Sequence, residues 1–287
     1  MKTALIPLAL LAFALPASSQ PSKLVNARLS VQPAAAGDPD AALKGLDAGP
    51  LWAAWEIATE DTQSHRCCYS NIDHAQSRHF CCGGCRLEGV ESGFVSGDGK
   101  TLEPEERRLF LFARLEGGRL DKLRTFSTDC TLDAGGLPVV WLTGVAAEKS
   151  LAFLERLLEQ RRAGRDLREQ ALMALAAHSG GAAVLVRLAR RHEDPHIRGQ
   201  ALFWLAQVAS AKAVPAIGEA VEHDPDTDVK VHAVFALTQL PGNEGVPHLI
   251  RLARTHKNSE VRRRSVFWLG QSHDPRALTF LEELVSR

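Results

Sequence analysis

The sequence predicts a mainly α-helical protein with an α+β N-terminal part. A C-terminal α–α superhelix of four helical-hairpin repeats follows a small β-rich, disulfide-stapled domain. Three observations carry this. Four related segments after residue 164 share an apolar pattern of helical period. Before residue 163 the apolar runs are short and punctuated by Gly and Pro, which is how strands and turns read. All six cysteines lie at or before residue 130, five of them within 67–85. A length of 287 residues also exceeds one typical domain.

The N-terminus comes first. Met1-Lys2 is positive, Ala4 to Leu15 is an almost unbroken apolar run, and small residues (Ala17, Ser19) end the segment. This reads as a Sec-type signal peptide over 1–19, too short in its apolar part for a membrane span. No cysteine near the cleavage point offers a lipid attachment. The expected mature protein is secreted or periplasmic, with no membrane span. The full chain carries 34 Lys+Arg against 34 Asp+Glu, and losing Lys2 leaves a net charge of −1. Without a basic surplus, nucleic acid is not expected as a partner.

Residues 20–163 form the predicted β-rich domain. Val25–Val31 alternates apolar and polar residues as a half-buried strand does. A short helix is expected over 40–46. Leu51–Ala58 (LWAAWEIA) fits strand or helix by period, and its flanking Gly49-Pro50 and polar 59–63 favour strand. Arg108–Leu115 and Arg119–Ser127 flank Gly117-Gly118 as a hairpin. Leu137–Leu142 is a further strand, and Lys149–Arg161 has helical spacing.

The cysteines carry the chemistry of this half. In an oxidising compartment Cys67, Cys68, Cys81, Cys82, Cys85 and Cys130 are expected to pair as disulfides. Adjacent cysteines rarely bridge one another, so Cys67 and Cys68 each need a different partner, and fifteen pairings of six remain open. Two alternatives compete with that staple. Cys82-x-x-Cys85 has zinc-ligand spacing, with Cys67, Cys68, His65, His74 and His79 available to complete a tetrahedral set. The same pair also has the spacing of a dithiol redox couple. No cofactor is expected, with zinc as the alternative. No nucleophile elbow, phosphate loop, dinucleotide fingerprint or EF-hand loop is present.

Residues 164–287 are the repeats. DLREQALMALAA (166–177), HIRGQALFWLAQ (196–207), DVKVHAVFALTQ (228–239) and EVRRRSVFWLGQ (260–271) align, with Leu167, Ile197, Val229 and Val261 spaced 30, 32 and 32 apart. A second apolar-periodic run follows each. Units of this length signal a solenoid in which stacking buries what one hairpin cannot. The residues Asp228-Val229-Lys230 with Ala233 and Leu237 resemble the HEAT family, especially its short bacterial form, also found in phycobilisome lyases. Glu260-Val261-Arg262 with Leu269, His196-Ile197-Arg198 with Ala201 and Leu205, and Asp166-Leu167-Arg168 with Ala171 and Leu175 repeat the pattern. The resemblance implies an interaction surface. Iron-binding relatives carry His-Glu pairs on first helices, whereas His192-Glu193 here ends a second helix.

Candidate partner-binding residues follow from recurrence. Trp204 and Trp268 share one repeat position, with Ala174 and Ala236 alternating, which suits interlocked packing; exposed, they would anchor a partner. Arg198, Lys230 and Arg262 recur near first-helix starts, either as an inter-repeat charge ladder or as a basic strip for an acidic partner. His192, His223 and His256 recur at second-helix ends, where a helix C-terminus favours them. The function expected is a non-enzymatic scaffold or adaptor. Its protein or peptide partner would lie along a concave surface lined by the second helices. The alternative is a metal- or thiol-dependent site at Cys67–Cys85.

Overall fold

The computed structural model describes residues 23–46, 49–60, 85–88, 107–128, 130–160, 163–208 and 211–286. Its first part is a five-stranded mixed sheet. The strands are β2 (Arg28–Pro33), β3 (Leu51–Ala58), β5 (Arg108–Glu116), β6 (Arg119–Ser127) and β8 (Pro138–Thr143), in the order β2-β8-β3-β5-β6. β2 and β3 both run parallel to β8, and β3, β5 and β6 form an antiparallel meander. Gly117 and Gly118 join β5 to β6 with φ of 59° and 70°. Two positive φ values are what a tight two-residue hairpin turn demands.

Both faces of the sheet are covered, so LWAAWEIA carries almost no polar alternation. Ala53, Trp55, Ile57, Leu111, Ala113 and Leu142 face the helices. Trp52, Phe110, Phe112, Phe126 and Trp141 occupy the opposite face with edge-to-face ring contacts at 5.0–6.2 Å. That second face is closed in part by three two-residue parallel strands, β1 (Leu24–Val25), β4 (Cys85–Arg86) and β7 (Leu132–Asp133), which bring in Leu87, Leu132 and Ala134.

The strand predicted over 25–31 is corrected. Asn26, at φ 49°, breaks the chain between β1 and β2. Asn is among the few residues that tolerate this conformation. Leu29 and Val31 then point outward from the edge strand, 41% and 48% exposed, where the alternation predicted burial. The short helix begins earlier than expected, as α1 (Pro39–Lys44), because the Asp38 carboxylate accepts from the Asp40 N–H at 3.0 Å and caps it.

The helix after the sheet, α2 (Ala147–Glu159), lays Phe153, Leu154, Leu157 and Leu158 against the sheet. Four hairpins follow: α3 (Arg165–Ala177) with α4 (Gly181–Arg191), α5 (Pro195–Gln207) with α6 (Ala213–His223), α7 (Thr227–Thr238) with α8 (Gly245–Thr255), and α9 (Ser259–Gly270) with α10 (Pro275–Val285). Asp194, Asp226, Asn258 and Asp274 cap α5, α7, α9 and α10 with their side chains. The first hairpin is welded to the sheet. The Leu123 N–H donates to Gln170 Oε1 at 2.7 Å, and Ser179 N–H to the Ala58 carbonyl at 2.7 Å. Glu60 accepts from Ser179 Oγ and from the Gly180 N–H. One apolar core runs from the sheet to α10.

Two glycines make opposite predictions. A Cβ on Gly245 would stand 1.9 Å from the Leu237 carbonyl oxygen, whereas one on Gly218, inside α6, meets nothing within 4 Å. Gly245→Ala is therefore expected to lower stability by about 1–3 kcal/mol through overpacking. Gly218→Ala is expected to raise it by about 0.5–1 kcal/mol through helix propensity. Urea unfolding of the two variants checks both signs.

Candidate interaction surface

The recurrent cations turn inward to the backbone. Arg198 is 8% exposed. Its Nε and Nη2 donate to the Asp224 carboxylate at 2.8 and 3.0 Å, and its Nη1 to the carbonyls of His192 and Glu193 at 2.8 and 3.2 Å. Lys230 Nζ reaches the Val221 and Glu222 carbonyls at 2.9 and 2.8 Å. Arg262 Nη1 reaches those of His256 and Lys257 at 2.7 and 3.0 Å. These carbonyls lie at the ends of α4, α6 and α8, where a helix has no acceptors' partners of its own and carries partial negative charge. Burial raises the Asp224 pKa, but the Arg198 hydrogen bonds, the Asp226 N–H and the nearby cations outweigh it and hold it below the ordinary carboxylate range.

Two of the three recurrent histidines act as loop caps. His192 Nδ1 accepts from the Asp194 N–H, and His256 Nδ1 from the Asn258 N–H, both at 3.1 Å. His256 Nε2 faces the Val221 carbonyl at 3.2 Å. In the middle loop Asp224 takes over, accepting from the Asp226 N–H at 2.9 Å, and His223 is simply the last residue of α6.

Which helices line the inner face is a correction. The first helices α5, α7 and α9 pack closely on one another, whereas the second helices stand further apart. Small buried residues at one repeat position (Ala171, Ala201, Ala233, Ser265) permit the close approach. Gly199 adds to it, since a Cβ there would lie 3.0 Å from His232. On the outside, α2 and the second helices are bridged by ion pairs of alternating polarity: Glu155–Arg187 (2.7 Å), Arg190–Glu219 (2.6 Å), Glu222–Arg251 (2.9 Å) and Arg254–Glu283. In a curved stack the closer-packed row is the inner one, so the first helices line the concavity.

That inner row carries an aromatic stripe. Phe203 and Phe235 stack with centroids 5.8 Å apart and planes 4° apart. Trp268 lies 5.0 Å from Phe235. Trp204 stands edge-on to Phe203, and Phe267, 49% exposed, stands edge-on to Trp268. Trp204 and Trp268 are both half-buried, packed on the core along one edge. Trp268 also borders an open cavity of about 390 Å³ with Leu237, Val246, Gln271 and His273. Beside the rings run Gln207, Gln239 and Gln271; Gln207 Nε2 donates to Gln239 Oε1 at 2.9 Å. The stripe thus offers π-faces next to amide donors and acceptors. The Phe and Gln positions were visible in the sequence as a recurring motif, yet only the curvature makes them a surface.

Cys67, Cys68, Cys81, Cys82, His65, His74 and His79 lie outside the described residues. Cys85 belongs to β4, and Cys130 is buried and disulfide-bonded. Among the described residues no three His, Cys, Asp or Glu side chains come together as a metal-ligand group, and no helix is long and apolar enough to cross a membrane.

Residues 182–267 and 214–287 match the family model for HEAT repeats. The segment 182–287 is thus a HEAT-repeat array, in agreement with the resemblance read from Asp228-Val229-Lys230 and its counterparts. No curated protein matches the chain.

Proposed function

We propose that the protein is a non-enzymatic scaffold or adaptor, exported from the cytoplasm, that holds a protein or peptide partner along the inner face of its HEAT-repeat array. The observation that carries this reading is the aromatic stripe with its glutamine row on the first helices. Such a surface suits a polypeptide: rings take apolar side chains, and side-chain amides pair with peptide N–H and C=O groups. Affinity spread over several repeats is how solenoids recognise partners. The candidate cations Arg198, Lys230 and Arg262 serve the loops in this reading and steer binding only indirectly.

Export rests on the charged, apolar and small-residue order of residues 1–19. The disulfide at Cys130 suits an oxidising compartment. There the remaining cysteines act as cross-links, with zinc at Cys82 and Cys85 as the competing state that zinc analysis and thiol titration of the purified protein distinguish.

The test is affinity capture from the native envelope fraction, followed by binding of the recovered partner in purified form. Replacing Gln207, Gln239 and Gln271 together by alanine is expected to weaken that binding about tenfold or more, as loss of several interface hydrogen bonds does. Arg190→Gln with Arg251→Gln, on the outer face, leaves it unchanged. Equal binding by both variants would remove the inner face from the proposal.

A further inference from the structure

We infer that the cavity between the third and fourth hairpins receives a tryptophan or tyrosine side chain of the polypeptide held along the inner face. The inference rests on the reading above and names the anchor by which that partner is recognised.

The cavity, of about 390 Å³, lies where the end of α7 and the start of α8 meet the end of α9. Leu237, Val246 and Leu249, all buried in the core, supply its apolar part, and Trp268 borders it. Trp268 also meets Phe235 at 5.0 Å, so the cavity is continuous with the aromatic stripe.

The cavity has a cause in the sequence. Eleven positions after Leu167, Ile197, Val229 and Val261 stand His178, Val208, Leu240 and Ser272 in turn. His178 and Leu240 are buried, and Val208 packs on the core. Ser272, the smallest of the four, lines the cavity instead, and its Oγ accepts from the Asp274 N–H at 3.2 Å. Interiors are otherwise close-packed. A hydroxyl thus stands where the preceding repeat places an isobutyl group, and room for a ligand group remains.

The lining sets the chemistry of the occupant. Among the described residues no Asp, Glu, Lys or Arg lines the cavity. A charged group would therefore lose water without gaining an opposite charge. Thr238, Gln271 and His273 bring hydrogen-bonding groups to the apolar space. A flat apolar body with one polar edge meets both demands: the ring packs on Leu249 and Trp268, and its indole N–H or phenol O–H pairs with the polar side chains. Ligand cavities run to roughly 300–1,000 Å³, and one near the lower end suits a single large side chain. Its border is also held in place. Asn243, in the left-handed region at φ 58°, gives its carbonyl to Arg276 Nη2 at 3.1 Å. Arg276 is fixed in turn by the Asp274 carboxylate at 2.7 and 2.8 Å. A preformed site loses less freedom on binding, and a buried aromatic anchor is where interface energy concentrates.

The experiment uses the full-length protein and follows the indole N–H resonances of its five tryptophans by nitrogen-15 NMR. Trp268→Phe assigns the signal of Trp268. N-acetyltryptophanamide is expected to shift that signal saturably, with a Kd of about 1 mM. N-acetylleucinamide should bind about fivefold more weakly, and N-acetylaspartic acid amide should leave the signal in place. Ser272→Leu, which restores the residue found at Leu240, fills the space and weakens the tryptophan probe about tenfold or more. Ser272→Ala removes the same hydroxyl but keeps the space, so it binds as the unaltered protein does. Urea unfolding verifies that both variants remain folded. The inference is overturned if the tryptophan probe gives no saturable shift, if leucine binds equally, or if binding survives Ser272→Leu. A captured partner that is lost with Gln207→Ala and Gln239→Ala yet indifferent to Ser272→Leu also overturns it, and leaves the inner-face reading intact. A probe that saturates at Trp268 beside a partner indifferent to both glutamines refutes the inner-face reading instead. It thereby overturns the polypeptide as the source and leaves the cavity to a free aromatic ligand.

Discussion

Replacing Arg198 by alanine is expected to destabilise the protein by about 3–5 kcal/mol at pH 7, the cost of stranding a buried charge. The Asp224 side chain is 6% exposed and holds two of the guanidinium's nitrogens, and two carbonyls at the end of α4 hold the third. Removing the cation leaves the carboxylate buried with one backbone N–H and those carbonyls without their donor. Asp224→Asn should cost less, because the amide is neutral and still accepts from the Asp226 N–H. The effect depends on pH with a defined sign. The folded carboxyl has a pKa lowered by Arg198, the Asp226 N–H and neighbouring cations against the opposing push of burial. Below about pH 4 the unfolded chain therefore takes up a proton before the folded one does. The stability contributed is complete at neutral pH and is lost as pH falls through the lowered pKa. Urea unfolding of the unaltered protein and Arg198→Ala at pH 7 and pH 3 should show the gap shrinking at acid pH. A gap below about 1 kcal/mol at pH 7 would place the pair among ordinary surface ion pairs.

Trp55→Ala is expected to cost a further ~3–5 kcal/mol, and to loosen the array as well as the sheet. Trp55 is fully buried on β3 between sheet and helices. Its ring meets Phe153 of α2 edge-on at 5.6 Å, and its Nε1 donates to Ser150 Oγ at 3.0 Å. α2 in turn packs on α3, so it serves as the cover that the first hairpin needs. Hydrogen exchange should quicken in α3 as well as in β3 and α2. Trp55→Phe, keeping most of the ring, should restore most of the stability while Ser150 loses its donor. Exchange confined to the sheet would show that the array is stable without its N-terminal cover.

The helices were legible because each repeat must bury one stripe, and that need prints a 3.6-residue period on the sequence. Leu151, Leu154, Leu157 and Leu158 gave α2 its face in the same way. The β5–β6 hairpin was legible from Gly117-Gly118, whose backbone only glycine adopts freely. Other features were hidden for physical reasons. LWAAWEIA lies between two covered faces, so burial erases its alternation. Leu29 and Val31 alternate as core residues do, yet the turn at Asn26 puts them at an exposed edge. The parallel insertion of β8 between β2 and β3 leaves no local mark, because the partners are distant in the chain.

The candidate surface divides along the same line. Recurrence marked Trp204, Trp268, Arg198, Lys230 and Arg262, but it cannot distinguish a residue that repeats because it faces a partner from one that repeats because every loop needs it. By itself the sequence determined that a HEAT-type array follows a strand-rich segment, since hydrophobic period and turn residues are local properties. Only the tertiary structure decided that the first helices form the inner face, and that the arginines bind carbonyls and loop carboxylates. It also buried Ala277 and Phe280 of α10 in the common core. Those outcomes depend on how closely neighbouring helices approach, which small residues such as Gly199 and Ala201 control through contacts with residues more than thirty positions away.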